Sequence, residues 1–199
     1  MNVETSALVA LGTLAFIAGL RLIYHEVCGF SSRTANDVFP FLLKIDMEAL
    51  YGTFHPDAEE HFRCTLPAAE FKQVQWKRIH LAIHYCNQVS NNACVFLGWT
   101  RHERRQSWNA MDRELRKTVQ ELTIACLQSR LSAFLIRARL RWWLVRTALL
   151  PFMPPPSFGS LARVGSSDMI SFYETAKTLA EIFSLAYGDN YHQKLIAAL

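Results

Sequence analysis

A chain of 199 residues with 51% hydrophobic and 19% charged side chains is too apolar to stay disordered and too charged to cross a membrane many times. Its length supports one domain with an appendage. Lysine and arginine (21) outnumber aspartate and glutamate (17), and only eight glycines and seven prolines occur, which leaves little material for an all-β fold or for phosphate-cradling loops.

The expected fold class is therefore all-α: one N-terminal transmembrane helix, then a helical bundle built on a long antiparallel helical hairpin. Residues 1–30 read as the anchor and its juxtamembrane segment. No charge falls between Thr5 and Leu20, and the run passes Arg21 into Leu22, Ile23 and Tyr24. With Arg21 snorkelling toward headgroups, a helix over about Ala7–Tyr24 approaches the roughly 20 residues needed to cross ~30 Å of hydrocarbon. The competing reading is an apolar helix buried in a soluble core. The start carries Glu4 and no lysine or arginine, unlike a cleaved signal peptide.

Arg21 and Arg33 flank the run on its C-terminal side, which favours a cytoplasmic bulk. The five cysteines agree with that: their number is odd and no CxxC pair occurs, so they read as reduced. The expected placement is single-pass, with the N-terminus outside and the C-terminal domain in the cytoplasm.

Residues 31–66 read as short acidic helices broken at Pro40, Gly52 and Pro56. Residues 31–71 hold three basic and seven acidic side chains, whereas residues 72–146 hold 14 basic and four acidic. Residues 67–153 are the basic part and read as the hairpin. Pro67 suits a helix start, and Ile79, Ala82, Cys86, Val89, Ala93 and Phe96 recur at alternating spacings of three and four.

Gly98 is expected to end that helix, and Thr100 with Glu103 forms a capping box for the next. The second helix then runs to Leu150, with a seam through Val119, Leu122, Cys126, Ser129, Ala133, Ile136, Leu140, Trp143 and Thr147. On these boundaries it outruns the first by about 17 to 20 residues, on the order of 25 to 30 Å.

The overhang carries Arg137, Arg139, Arg141, Trp142, Trp143 and Arg146, with Phe152 just beyond. Phe134, Ala138, Trp142, Val145 and Leu149 form a second apolar face between the arginines. Three readings compete for it: cover by the C-terminal helix, with arginines solvated or paired to Glu174 and Glu181; contact with anionic lipid by segment 134–152; or a groove for another protein. Residues 154–167 read as a Pro/Gly/Ser linker. Residues 168–199 read as a C-terminal helix packing on the bundle, capped by Ser166 or Ser167, with a stripe of Met169, Phe172, Ala176, Leu179, Phe183 and Ala186, a stop at Gly188 and a short helical turn over 190–198.

Chemistry has two weak candidates. His80 and His84 stand four apart on one helical face, the spacing of half a metal site, but they point away from the seam. His55, Asp57, Glu59, Glu60 and His61 gather acids and histidines, yet acids after Pro56 are also what a helix N-terminus favours. No catalytic motif and no cofactor signature occurs, and RHERR at 101–105 is a poor nucleic-acid reader.

The leading function is a non-enzymatic, membrane-anchored scaffold or adaptor, with a protein partner or a second copy of the chain. One alternative is a metal-binding or enzymatic bundle using His55, Asp57, Glu60 and His61 with His80 and His84. The other is a lipid-surface protein using segment 134–152. The chain is expected to stay with the membrane pellet in alkaline carbonate; quantitative extraction without detergent rules out the anchor.

Overall fold

Asp46 and Asp112 each open a helix by satisfying a free backbone N–H at its start. The computed structural model describes Arg21 and residues 31–150, 157–162 and 165–199. Apart from Arg21, the expected anchor over Ala7–Tyr24 lies outside them, as does Phe152. Among the described residues no helix is long and apolar enough to cross a membrane, and all regular structure is helical.

Two 3-10 turns, Ala35–Asp37 and Phe39–Phe41, precede α1 (Met47–Phe54) and α2 (Pro56–Thr65). Asp46 caps α1 by accepting from the Ala49 amide at 3.0 Å, and Pro56 opens α2 with Asp57 and Glu59 in its first turn. The break at Pro56 falls where the sequence suggested, whereas α1 runs through Gly52. The hairpin follows as α3 (Ala68–Gln106) and α4 (Arg113–Leu149), then the single turn α5 (Gly159–Ala162), α6 (Ser166–Ser184) and α7 (Asp189–Ala198).

The hairpin turn lies elsewhere than the sequence suggested. α3 runs straight through Gly98 and Thr100 for 39 residues. The chain reverses over 107–112, where Asp112 caps α4 by accepting from the Leu115 amide at 2.7 Å. α4 has 37 residues, so the two helices match and the overhang does not exist. A mid-helix glycine costs about 1 kcal/mol, which the burial of Leu97 and Trp99 on either side of it outweighs. Trp99 lies 4.4 Å from the Phe183 ring and 5.5 Å from Tyr187, between ring centroids.

Gly98 serves another purpose. A Cβ there would come within 2.4 Å of the Ser31 carbonyl oxygen, so the missing side chain lets the N-terminal segment lie against α3. The capping box is also unmade: Thr100 Oγ1 donates to the Leu97 carbonyl at 3.1 Å, and Glu103 is buried near Tyr187.

The α3 and α4 seams are buried as their periodicity predicts. α6 lies against α4, and Ala176 and Ala180 share a core with Ala125 and Cys126; small residues permit close helix approach. Its buried stripe is Met169, Tyr173, Ala176, Ala180 and Phe183, so Tyr173 and Ala180 take the places expected of Phe172 and Leu179, which are half-buried. Gly165, with φ of +101°, precedes α6 and no side chain caps it. Gly188, with φ of +92°, separates a closing 3-10 turn from α7.

The segment 31–45 is held along α3 by side-chain amides. Asn92 is wholly buried. Its Oδ1 accepts from the Leu43 amide at 2.8 Å, and its Nδ2 donates to the Leu43 carbonyl at 2.7 Å and to the Tyr173 hydroxyl at 2.8 Å. Asn91 Nδ2 donates to the Phe41 carbonyl at 2.8 Å. At the far end of the chain the Tyr191 hydroxyl donates to the Ala35 carbonyl at 2.8 Å.

One asparagine thus joins the N-terminal segment, α3 and α6. Replacing Asn92 by alanine is expected to cost about 2–3 kcal/mol, at roughly 1 kcal/mol per lost bond. Tyr173→Phe should cost about 1 kcal/mol. Urea denaturation of the full chain checks both, and equal losses in the two variants contradict the three-way role.

Candidate docking surface

α4 has two faces. The inner one meets α3 and α6; the outer one carries Ile124, Gln128, Leu131, Leu135, Ala138, Trp142, Val145 and Leu149, spaced four and three alternately. All eight are exposed. Such spacing lines one side of a helix in the manner of a coiled-coil seam, here over about 37 Å of axis. Trp142 is 63% exposed and Leu149 72%, so the C-terminal helix does not cover this face, contrary to one of the three readings. Glu174, expected as a partner of the arginines, instead neighbours the Tyr51 hydroxyl and raises its pKa.

The residues singled out around the expected overhang divide. Arg139 and Arg141 are exposed beside the outer stripe and Arg146 is half-buried there. Helical geometry sets Arg139 and Arg146 on one flank and Arg141 on the other. Arg137 is buried, and its Nη1 donates to Asn87 Oδ1 at 2.8 Å. Trp143 is 4% exposed and sits edge-on to Phe158 with centroids 6.0 Å apart. Arg137 and Trp143 are therefore interior side chains. The stripe carries no counter-charge of its own, since no acid occurs between Glu121 and Asp168.

The acid and histidine cluster resolves into a structural latch built on Glu59. Its carboxylate is buried, accepts from Arg63 Nη2 at 2.8 Å, and accepts from Ser157 Oγ and the Phe158 amide. Arg78 works beside it: Nε donates to the Thr53 carbonyl at 2.8 Å and Nη2 to the His55 carbonyl. The guanidinium also lies 4.3 Å from the Phe158 ring centroid. Burial lowers the Arg78 pKa and the nearby Glu59 opposes that shift. A buried charge needs such partners. The latch ties α1, α2 and α5 to α3 at the end of the bundle away from the hairpin turn.

The remaining members do not converge. His55, Asp57, Glu60 and His61 are exposed, and so are His80 and His84. His55 Nδ1 and Asp57 Oδ2 are 3.7 Å apart at the surface. Among the described residues no group of three His, Cys, Asp or Glu side chains could hold a metal ion.

Nucleophiles fare no better. Burial pushes the Cys86 thiol up to about 12 and raises that of Cys126 as well, so neither supplies thiolate near neutral pH. Ser184 Oγ lies 2.7 Å from His192 Nδ1, a pairing that sequence spacing did not reveal. Ser184 is wholly buried and its hydroxyl donates to the Glu181 carbonyl at 2.6 Å, which makes the pair a helix-end tie.

No known protein family matches the chain, and neither does a curated protein or a solved structure. The two adjacent tryptophans provide an internal contrast. Trp142→Ala is expected to leave stability within about 0.5 kcal/mol, whereas Trp143→Ala should cost about 3–5 kcal/mol. Thermal or urea unfolding of both variants measures this; a large loss at Trp142 means the stripe is covered.

Proposed function

We propose that this chain is a non-enzymatic scaffold, tethered to a membrane through residues of about 7–24, that offers the outer face of α4 to a helical partner. In this reading the bundle is cytoplasmic and the N-terminus outside. The observation that carries it is the uncovered stripe from Ile124 to Leu149, since a row of large apolar side chains in water is stabilised by whatever covers it.

Charge indicates the kind of occupant. Arg139, Arg141 and Arg146 border the stripe without an acid on the same helix after Glu121, so the complement is an amphipathic helix with acidic residues beside its apolar seam. Two copies of the chain meeting in parallel would set Arg139 and Arg146 against Arg141, which like-charge repulsion disfavours. Anionic lipid as the occupant of segment 134–152 fits the geometry less well. Arg137 is level with Asn87, to which it donates. Trp142 therefore lies about 24 Å along the bundle from Gly98, beside which the N-terminal segment arrives.

The test uses a labelled peptide helix with a leucine seam and glutamates on both flanks, and a twin with lysines in their place. The glutamate peptide should bind the full chain saturably, more weakly as salt rises, and not at all to a Trp142→Ala/Leu149→Ala double variant of unchanged melting temperature. Equal binding of the two peptides, or of neither, refutes the reading.

A further inference from the structure

The hairpin tip carries a second uncovered feature. Traced backward from Leu43, the N-terminal segment climbs α3 toward that tip. Leu43 is held at Asn92, the Arg33 amide donates to the Gly98 carbonyl at 3.0 Å, and Ser32 Oγ lies 3.5 Å from His102 Nδ1. Residues 31–33 thus lie beside residues 98–102. Six residues lie between Tyr24, where the apolar run closes, and Ser31, a reach of at most about 25 Å.

At that place α3 gathers positive charge. Arg101, Arg104 and Arg105 are exposed and share one helical face by their spacing of three and four, an arrangement that costs like-charge repulsion. The acid of the same run, Glu103, is buried near Tyr187. The three arginines, with Leu97, Thr100 and Thr123, line an open cleft of about 410 Å³ between α3 and α4. Beside it the half-buried Trp108 ring has Arg104 at 5.2 Å and Arg116 at 6.0 Å from its centroid. An amphipathic ring bracketed by guanidinium groups suits headgroup depth.

We infer that this cleft binds the phosphate of an anionic phospholipid headgroup, so that the hairpin tip rests on the bilayer. Guanidinium groups match phosphate geometry with paired N–H donors, and basic clusters close to a membrane anchor are drawn to anionic lipid. The inference rests on the tether proposed above, because it is the tether that sets a bilayer within reach of the tip. The bundle then stands away from the membrane on its turn, and the outer stripe of α4 runs outward from it.

The experiment titrates the full chain in neutral detergent with short-chain phosphatidylglycerol, short-chain phosphatidylcholine, inorganic phosphate and a single-stranded RNA oligonucleotide, each followed by calorimetry. Phosphatidylglycerol should bind saturably and at least tenfold more tightly than phosphatidylcholine or inorganic phosphate. Arg101→Gln/Arg104→Gln/Arg105→Gln should weaken it at least tenfold without changing the melting temperature, and the matching lysine variant should recover part of the loss. Equal affinity for inorganic phosphate makes the cleft a free-anion site, equal affinity for phosphatidylcholine removes the charge argument, and tighter RNA binding assigns the arginines elsewhere; each overturns the proposal. Carbonate extraction reads the tether separately, so phosphatidylglycerol binding by an extractable chain retains the cleft and rejects the tether.

Discussion

The architecture depends on the carboxamide of Asn92. A buried amide has to spend both its donor and acceptor capacity within the protein, and this one does so on the Leu43 backbone and the Tyr173 hydroxyl. That fixes the register of segment 31–45 on α3 and holds α6 alongside. Two outcomes follow from the same register. The segment is directed toward the hairpin tip, and the outer face of α4 is left without a cover from within the described residues.

The hydrophobic stripes of the long helices were legible because periodicity reports burial directly. Ile79 through Phe96 and Val119 through Thr147 fall in the core as read. The turn was not legible, because the local signals at Gly98, Thr100 and Glu103 are the usual marks of a helix boundary and only long-range packing overrules them. Trp99 gains its partners from α6 and the residues beyond, more than 80 positions later in the chain. The better signal was Asp112 ahead of Arg113, a cap without a glycine.

Mislocating that turn displaced every inference about the overhang, yet Ala138, Trp142, Val145 and Leu149 of the second apolar face are exposed and only Phe134 is half-buried, since residues at that spacing share a helix side whatever lies opposite. Within the candidate contact set, Trp142 and Trp143 differ by one position and by 100° of rotation, and that rotation separates surface from core. Glu59 could not be distinguished from Asp57 or Glu60 by sequence, because its role comes from Ser157 and Phe158, almost 100 residues downstream. The lesson for acid clusters after a proline is that helix phase selects which carboxylate turns inward, while the partner it finds there is set by topology.

The bond from the Tyr191 hydroxyl to the Ala35 carbonyl bears on how the chain is made. Its partners lie 156 residues apart, and the ring of Tyr191 also packs at a tilt against Phe39, with centroids 4.7 Å apart. Synthesis proceeds at about 5–20 residues per second, so some 8 to 30 seconds pass between the emergence of the two ends. Throughout that interval the N-terminal segment lacks its last contact, and the hairpin, whose partners are closer in sequence, can form first. A ribosome stalled before Tyr191 would leave the strap along α3 incompletely fastened while the long helices were already paired.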